Sequence, residues 1–294
     1  MLTRKRPPRL RFRAGLHTFV HMLKRLSLAT AGLLFIGYAA IAGYLAAGQD
    51  RLIFRVDPER PSLAAAGLPR ASEVSLAAAD GVTLSGWEVA PASASAPIYV
   101  YFHGNARTHA RRAPRYRLLT EHGAGLVAFH YRGYGGSGGA PSEEALHRDA
   151  QTIYDDVRRR YPGHDIILFG ESLGTGVATH LASRRPASAL ILDSPFSSVL
   201  NLASDSYPWL PVGLLLRHHF RSDLAIRSVR MPVLILHGER DRLIPVKEAE
   251  RLLAEAAEPK RLIRYPRAGH VAVFSHGAID DVRAFLRDIA GIRA

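Results

Sequence analysis

The 294-residue sequence contains no cysteine. That removes disulfide bonds, a thiol nucleophile and thiolate-ligated metals, and leaves the compartment undefined. Acid is also missing from the start of the chain. Residues 1–25 carry eight basic side chains (Arg4, Lys5, Arg6, Arg9, Arg11, Arg13, Lys24, Arg25), and the first carboxylate is Asp50. Of the formal net charge of +13, those eight leave +5 for the rest. The surplus is therefore an N-terminal tail rather than a basic stripe with interleaved aromatics, and composition gives no case for a nucleic-acid partner. No segment recurs at a period of 20–50 residues, which excludes a repeat architecture.

Charge of either sign is missing from Leu26 to Gly48, "LSLATAGLLFIGYAAIAGYLAAG". As a helix at about 1.5 Å per residue this run reaches roughly 35 Å, enough for a ~30 Å hydrocarbon core. Its leucines, isoleucines and phenylalanine contribute roughly −4 kcal/mol to insertion at about −0.5 each, partly offset by its glycines. A cleaved signal peptide has a shorter apolar region, although "YLAAG" resembles a small-residue cleavage site. A buried core helix is punctuated by polar residues at helical spacing, and this run is not. The reading adopted is a single signal anchor over residues 26–48. Eight positive charges precede it, whereas Arg51 and Arg55 after it are offset by Asp50 and Asp57. The positive-inside rule then places the N-terminus in the cytoplasm and the rest outside, in the periplasm of a bacterial inner membrane or in a lumen. Ala39, Gly43 and Ala47 form a small-residue row, but in so alanine-rich a run it leaves the oligomeric state open.

After the anchor, "EVSLAAADGVTLSGWEVAP" reads as a hairpin about Asp80-Gly81. "APIYVYFHG" and "GAGLVAFHYRG" read as strands, with an arginine-rich helix over 106–121 between them. "SEEALHRDAQTIYDDVRRRYP" is an amphipathic helix with Ser142 as N-cap and Pro162 at its close. "DIILFG", "ALILDSP", "MPVLILHG" and "RLIRYPRAGH" are further strands, and Ala278–Ile289 a last helix. Short apolar strands alternating with helices predict an α/β fold with a mostly parallel sheet covered on both faces. The interval 194–230, with "SDSYPWLPVGLLLRHHF", is too long for a connection. It reads as a small helical cap over the C-terminal edge of the sheet, where it would shape a pocket.

Two Gly-x-Ser-x-Gly patterns occur, at Ser172 and Ser137. Ser172 directly follows an apolar strand and opens a helix. So tight a turn needs positions two before and two after without side chains, which Gly170 and Gly174 supply. Ser137 sits in "RGYGGSGG", followed by Ala140-Pro141, and reads as a flexible loop. A serine nucleophile needs a base and a group to orient it. The element order puts a histidine after the last strand, His270, in preference to His276, and an acid after the penultimate one, where Asp241 and Glu239 are available. Asp193 is a further acid, read as a cap for the insertion through "DSPFSS". His218 and His219 are adjacent, cannot share a helix face, and do not suit a metal site. The backbone N–H groups of Asn105, in "YFHGNAR", and Leu173 are the candidate oxyanion donors.

These residues carry a family likeness. From Arg51 onward the chain resembles an α/β-hydrolase, and within that superfamily the membrane-anchored branch of Bem-type proteins and α/β-hydrolase-domain depalmitoylases. The likeness runs through "HGNA", "YRGYGGSGG", "GESLGTGVA", "LDSPFSS", "YPWLP", "PVLILHGERDRLIP" and the "GH" at His270. It implies an α/β-hydrolase domain over 51–294 and a triad of Ser172, Asp241 and His270. It also implies an oxyanion hole from Asn105 and Leu173, and hydrolysis of carboxylic esters or thioesters without metal or organic cofactor. The expected function is thus a membrane-anchored serine hydrolase acting on acyl substrates. A serine peptidase or amidase with the same triad, and an anchored binding protein without catalysis, are the alternatives.

Overall fold

The computed structural model describes residues 11–292 other than Arg107, and side chains from Phe19. The tail residues Arg4, Lys5, Arg6 and Arg9 lie outside the described residues. The chain divides into two units, one up to Gln49 and one from Asp50. The first consists of helix α1, Arg11–Ile53, whose last residues belong to the second unit. Its Phe19–Ile53 stretch is long and apolar enough to cross a membrane, by length and composition.

The second unit is built on eight strands: β1 (Ala71–Ala77), β2 (Thr83–Val89), β3 (Ile98–Phe102), β4 (Gly125–Phe129), β5 (Ile166–Glu171), β6 (Ala189–Asp193), β7 (Val233–Gly238) and β8 (Lys260–Tyr265). They form one sheet in the order β1-β2-β4-β3-β5-β6-β7-β8. Only β2 runs against its neighbours; from β4 to β8 every pairing is parallel. The β1–β2 hairpin closes with Ala78 and Val82 bonded across Ala79, Asp80 and Gly81, one residue longer than a two-residue turn.

Helices cover both faces: α2 (Ala113–Thr120), α3 (Glu143–Arg160), α4 (Leu173–Ala182), the short α5 (Val199–Ser206), α6 (Val212–Leu215) and α7 (Ser222–Ala225), then α8 (Val246–Glu255) and α9 (Ala278–Asp288). The arginine-rich segment is a 3-10 turn over His109–Arg112 before it becomes α2. Ser142 caps α3 by accepting from the Ala145 N–H, and the helix stops before Tyr161-Pro162, because proline cannot continue it.

The central strands are buried at every position and apolar over most of their length, and their period of two sorts them into two cores. Ile98, Val100, Phe102, Leu168, Leu190, Leu192, Val233 and Ile235 pack on the α3/α4/α8 side. Tyr99, Tyr101, Ile167, Phe169, Ile191, Leu234 and Leu236 pack on the α2/α9 side. Burying both faces leaves the strand ends as the place for polar chemistry.

Candidate active site

Strand β5 ends at Glu171, and Ser172 stands alone between it and α4, at φ 50°, ψ −116°. The strand-to-helix reversal brings two backbones together. A Cβ on Gly170 would lie 2.6 Å from the Gly174 carbonyl oxygen, and one on Gly174 only 2.0 Å from that of Phe102. No side chain fits at either place, so the serine is held in a left-handed conformation by its neighbours' bareness.

Ser172 Oγ lies 2.9 Å from His270 Nε2, and His270 Nδ1 lies 2.7 Å from Asp241 Oδ2. The other Asp241 oxygen accepts from the backbone N–H groups of Leu243 and Ile244, at 2.9 and 2.8 Å. Burial alone would raise the Asp241 pKa. The bond from His270 and those two N–H groups outweigh burial and hold the pKa below its ordinary value. An ionised Asp241 has no proton to give, so His270 Nδ1 is the donor in that bond, leaving Nε2 to face Ser172.

Leu173 follows the serine in the chain, and Asn105 lines the same cavity. Leu173 is the first residue of α4, where N–H groups lack intrahelical partners. Asn105 uses its side-chain oxygen to accept from the Arg55 N–H at 2.6 Å and from the Tyr134 hydroxyl at 3.0 Å. The preceding loop is held by His103, whose Nδ1 donates to the Gly104 carbonyl at 2.7 Å and whose Nε2 accepts from the Tyr131 N–H at 3.2 Å. Burial pushes the pKa of His103 well down, so both bonds are made by a neutral ring.

The other candidates fall elsewhere. Ser137 is buried; its hydroxyl donates to the His130 carbonyl and accepts from the Ser85 N–H, so it ties a loop to β2. Glu239 is exposed. His276 ends a 3-10 turn before α9 with Nδ1 on the Ala272 carbonyl. His218 and His219 hold the cap segment: His218 Nε2 contacts Asp50, and the His219 N–H donates to Glu143. Asp193 does not cap the insertion; Ser198 does, accepting from the Asn201 N–H.

Asp193 belongs to a buried charge cluster that the sequence did not announce. The β5–β6 register sets Glu171 beside Asp193, on the face covered by α2. Two carboxylates carried on strands about 4.8 Å apart in a core need cations between them. Arg112 reaches Glu171 at 2.7 Å; Arg115 reaches Glu171 at 2.8 Å, Asp193 at 3.0 Å and the Tyr101 hydroxyl at 2.9 Å. Arg115 also donates to the carbonyl of Val271, the residue after His270, at 3.0 Å. Desolvation pushes the Asp193 pKa up to about 6 despite Arg115. A charged residue closing an otherwise apolar strand was the available signal.

A cavity of about 630 Å³ opens above Ser172 and His270, lined also by Leu52, Arg55, Pro114, Leu118, Leu243 and Phe274. No lining residue among those described comes from 194–230, contrary to the expectation that the cap would shape it. The last part of the cap is tied elsewhere: α7 packs on α4 and α8, and Glu143 accepts from the N–H groups of His219 and Phe220. A second cavity of about 590 Å³ shares Pro114 and Leu118 but contains none of the reactive groups.

Comparison with known proteins matches residues 94–226 to the family model described as serine aminopeptidase, S33. The Mycobacterium tuberculosis protein Rv2307c is 38% identical over 249 residues, covering 82% of this chain and 88% of that protein. The Pyrococcus furiosus esterase Pf2001 shares the fold, with a TM-score of 0.63 at 21% identity over 81% of this chain and 98% of its own. The chain belongs to the α/β-hydrolase superfamily. Within that superfamily it is also 30% identical to lysophosphatidylserine lipase ABHD12 of Danio rerio over 250 residues, 72% of this chain and 65% of that protein.

Proposed function

We propose that this α/β-hydrolase is a membrane-anchored serine esterase or lipase that cleaves carboxylic ester or thioester bonds of acyl substrates. The observation that carries the reading is the continuous hydrogen-bonded line from Ser172 through His270 to Asp241 at the floor of the cavity. Ser172 passes its proton to His270 Nε2 as the oxygen attacks the acyl carbonyl. The N–H groups of Asn105 and Leu173 receive the oxyanion, each worth about 10²–10³ in rate. His270 then protonates the leaving alkoxide or thiolate, Asp241 stabilising the imidazolium, and water repeats the sequence on the acyl-enzyme. No step calls for a cofactor or metal. Residues 26–48 are the anchor and 51–294 the hydrolase domain, with the N-terminus cytoplasmic on the charge asymmetry.

The name of the matching family model favours a second reading, an aminopeptidase. Such an enzyme binds the free amino group of its substrate with a carboxylate. Among the described residues the one carboxylate lining the cavity is Glu171, already engaged by Arg112, Arg115 and Tyr101. The leucines and Phe274 of the lining and the named lipase relative favour the ester. Fluorophosphonate labelling of wild type, Ser172→Ala and Ser137→Ala, followed by a panel of acyl esters and aminoacyl amides, tests both. Labelling lost only in Ser172→Ala, with esters cleaved and amides spared, is expected. Labelling that persists in Ser172→Ala would overturn the nucleophile, and amide turnover would favour the second reading.

A further inference from the structure

One wall of the cavity above Ser172 comes from Leu52 and Arg55, at the very start of the hydrolase unit. The uncharged run ends at Gly48, four residues before Leu52. Four extended residues reach about 14 Å at most, so Leu52 stays that close to the end of the run in any orientation of the hydrolase unit. The rim of the reactive cavity is therefore chained to the membrane surface if the run spans the bilayer.

The make-up of that rim suits such a place. Leu52 and Leu243 line the cavity yet are 58% and 62% exposed, large apolar surface with no cap residue over it. Beside them Arg55 and Arg111 are exposed cations, and the lining carboxylate Glu171 is neutralised by Arg112 and Arg115. Leucines that favour acyl chains, set among arginines that favour phosphates, match the boundary between hydrocarbon and headgroups.

We propose that this rim rests on the bilayer that holds the helix, so that the site takes its acyl ester from the lipid phase rather than from bulk water. The inference depends on the anchored-hydrolase reading above and adds the route of entry. A long-chain ester resides in lipid because every methylene moved into water is unfavourable. A site whose mouth meets the lipid takes in such a substrate without that transfer.

The test uses the full chain in vesicles of phosphatidylcholine with a minority of phosphatidylglycerol. A flexible Gly-Ser linker of about twenty residues between Gly48 and Gln49 lets the domain move roughly 25 Å from its tether. Hydrolysis of a vesicle-embedded long-chain ester should fall about tenfold or more, while a water-soluble butyrate ester is turned over as by wild type. Equal turnover of the embedded ester by the two proteins would overturn the proposal. Loss of butyrate hydrolysis in the wild type would instead overturn the hydrolase reading, and this proposal with it. Because the chain has no cysteine, Leu52→Cys offers one thiol for an environment-sensitive fluorophore, a second measurement independent of turnover. Quenching by brominated lipid supports the proposal; quenching by aqueous iodide alone contradicts it.

Discussion

Replacing Arg115 by methionine should weaken the fold and the reaction together, and the size of the first effect should depend on pH. Arg115 is a tenth exposed and holds Glu171, Asp193, Tyr101 and the Val271 carbonyl. Without it Glu171 keeps Arg112, but Asp193 loses its ion-pair partner. At pH 7 the Asp193 carboxyl, with a pKa of about 6 in the fold, evades isolation by taking up a proton, which limits its own loss to about 1.4 kcal/mol. The charged hydrogen bonds to Tyr101 and Val271 add about 1.5–3 kcal/mol each. The sum, about 4–7 kcal/mol, is a large share of the ~5–15 kcal/mol by which domains are stable. The sign with pH comes from the raised pKa. In the wild type Asp193 lowers stability as pH rises from its unfolded value of 3.8 to about 6, and no further. In the variant the folded pKa is higher still, so the loss continues above pH 6. The gap between the proteins should thus be about 1 kcal/mol smaller at pH 5 than at pH 7. Guanidinium unfolding of both proteins at the two pH values measures it. The Val271 carbonyl, freed beside His270, should also lower kcat about 10–100-fold with KM little changed. Stability equal to wild type, or a loss independent of pH, would refute this account of the cluster.

Asp241→Asn keeps the shape of the Ser172–His270–Asp241 line but leaves His270 Nδ1 without an anionic acceptor, and on the proposed mechanism kcat on a soluble ester should fall about 10⁴-fold; a fall under tenfold would remove Asp241 from the mechanism. Gly174→Ala forces a methyl against the Phe102 and His103 carbonyl oxygens, so fluorophosphonate labelling should be slower and the denaturant midpoint lower, and an unchanged variant would show that the elbow is not this tight. His103, His109 and His130 are buried with pKa values pushed down by desolvation, that of His130 to about 3. Depressed histidines bind protons only in the unfolded chain below its value of 6.5, so stability should be lost as pH falls, by about 4 kcal/mol per unit. Asp193 works in the opposite sense and offsets roughly 1 kcal/mol per unit between pH 6 and 4. Unfolding midpoints at pH 6.5 and 5 would be indistinguishable if these rings were hydrated.

Much of the architecture was legible because its signals are local. Apolar runs such as "IILFG" and "VLILHG" are long enough for strands and too short for helices, and Ser142 sits where an N-cap must. The three groups that the structure brings within hydrogen-bond reach were also readable, since each comes after a strand and every parallel strand ends on the same edge of the sheet. The cluster around Arg115 was not. Its members come from β3, β5, β6 and α2, and only the register of Glu171 with Asp193 reveals that two carboxylates need a common cation. The cap misled for a related reason. Composition marked "YPWLPVGLLL" as apolar, but Glu143, nearly eighty residues upstream, decides where residues 219 and 220 go. Leu52 and Arg55 looked like flanks of an anchor, and their place in the cavity wall is a tertiary fact.

The buried charges and the strained backbone of this site explain one another. Among the described residues four that are not glycine have positive φ: Ser172, Ser194, Phe220 and Val271. Such conformations cost about 1–3 kcal/mol each and persist only where the surroundings fix them. The Ser172 N–H donates to the Asp193 carbonyl, and the Val271 N–H to Ser194 Oγ, which itself donates to the Asp193 carboxylate. Arg115 closes the circuit by binding both that carboxylate and the Val271 carbonyl. Ser172 and His270 thus hang from one residue, Asp193, through its main chain on one side and its side chain on the other. A buried ion pair is poor evidence for stability, because apolar residues of similar volume often serve as well. Here the gain is in geometry: an apolar core could fill the same volume, but it would offer no hydrogen bond to hold Val271 in its strained turn and His270 against Ser172.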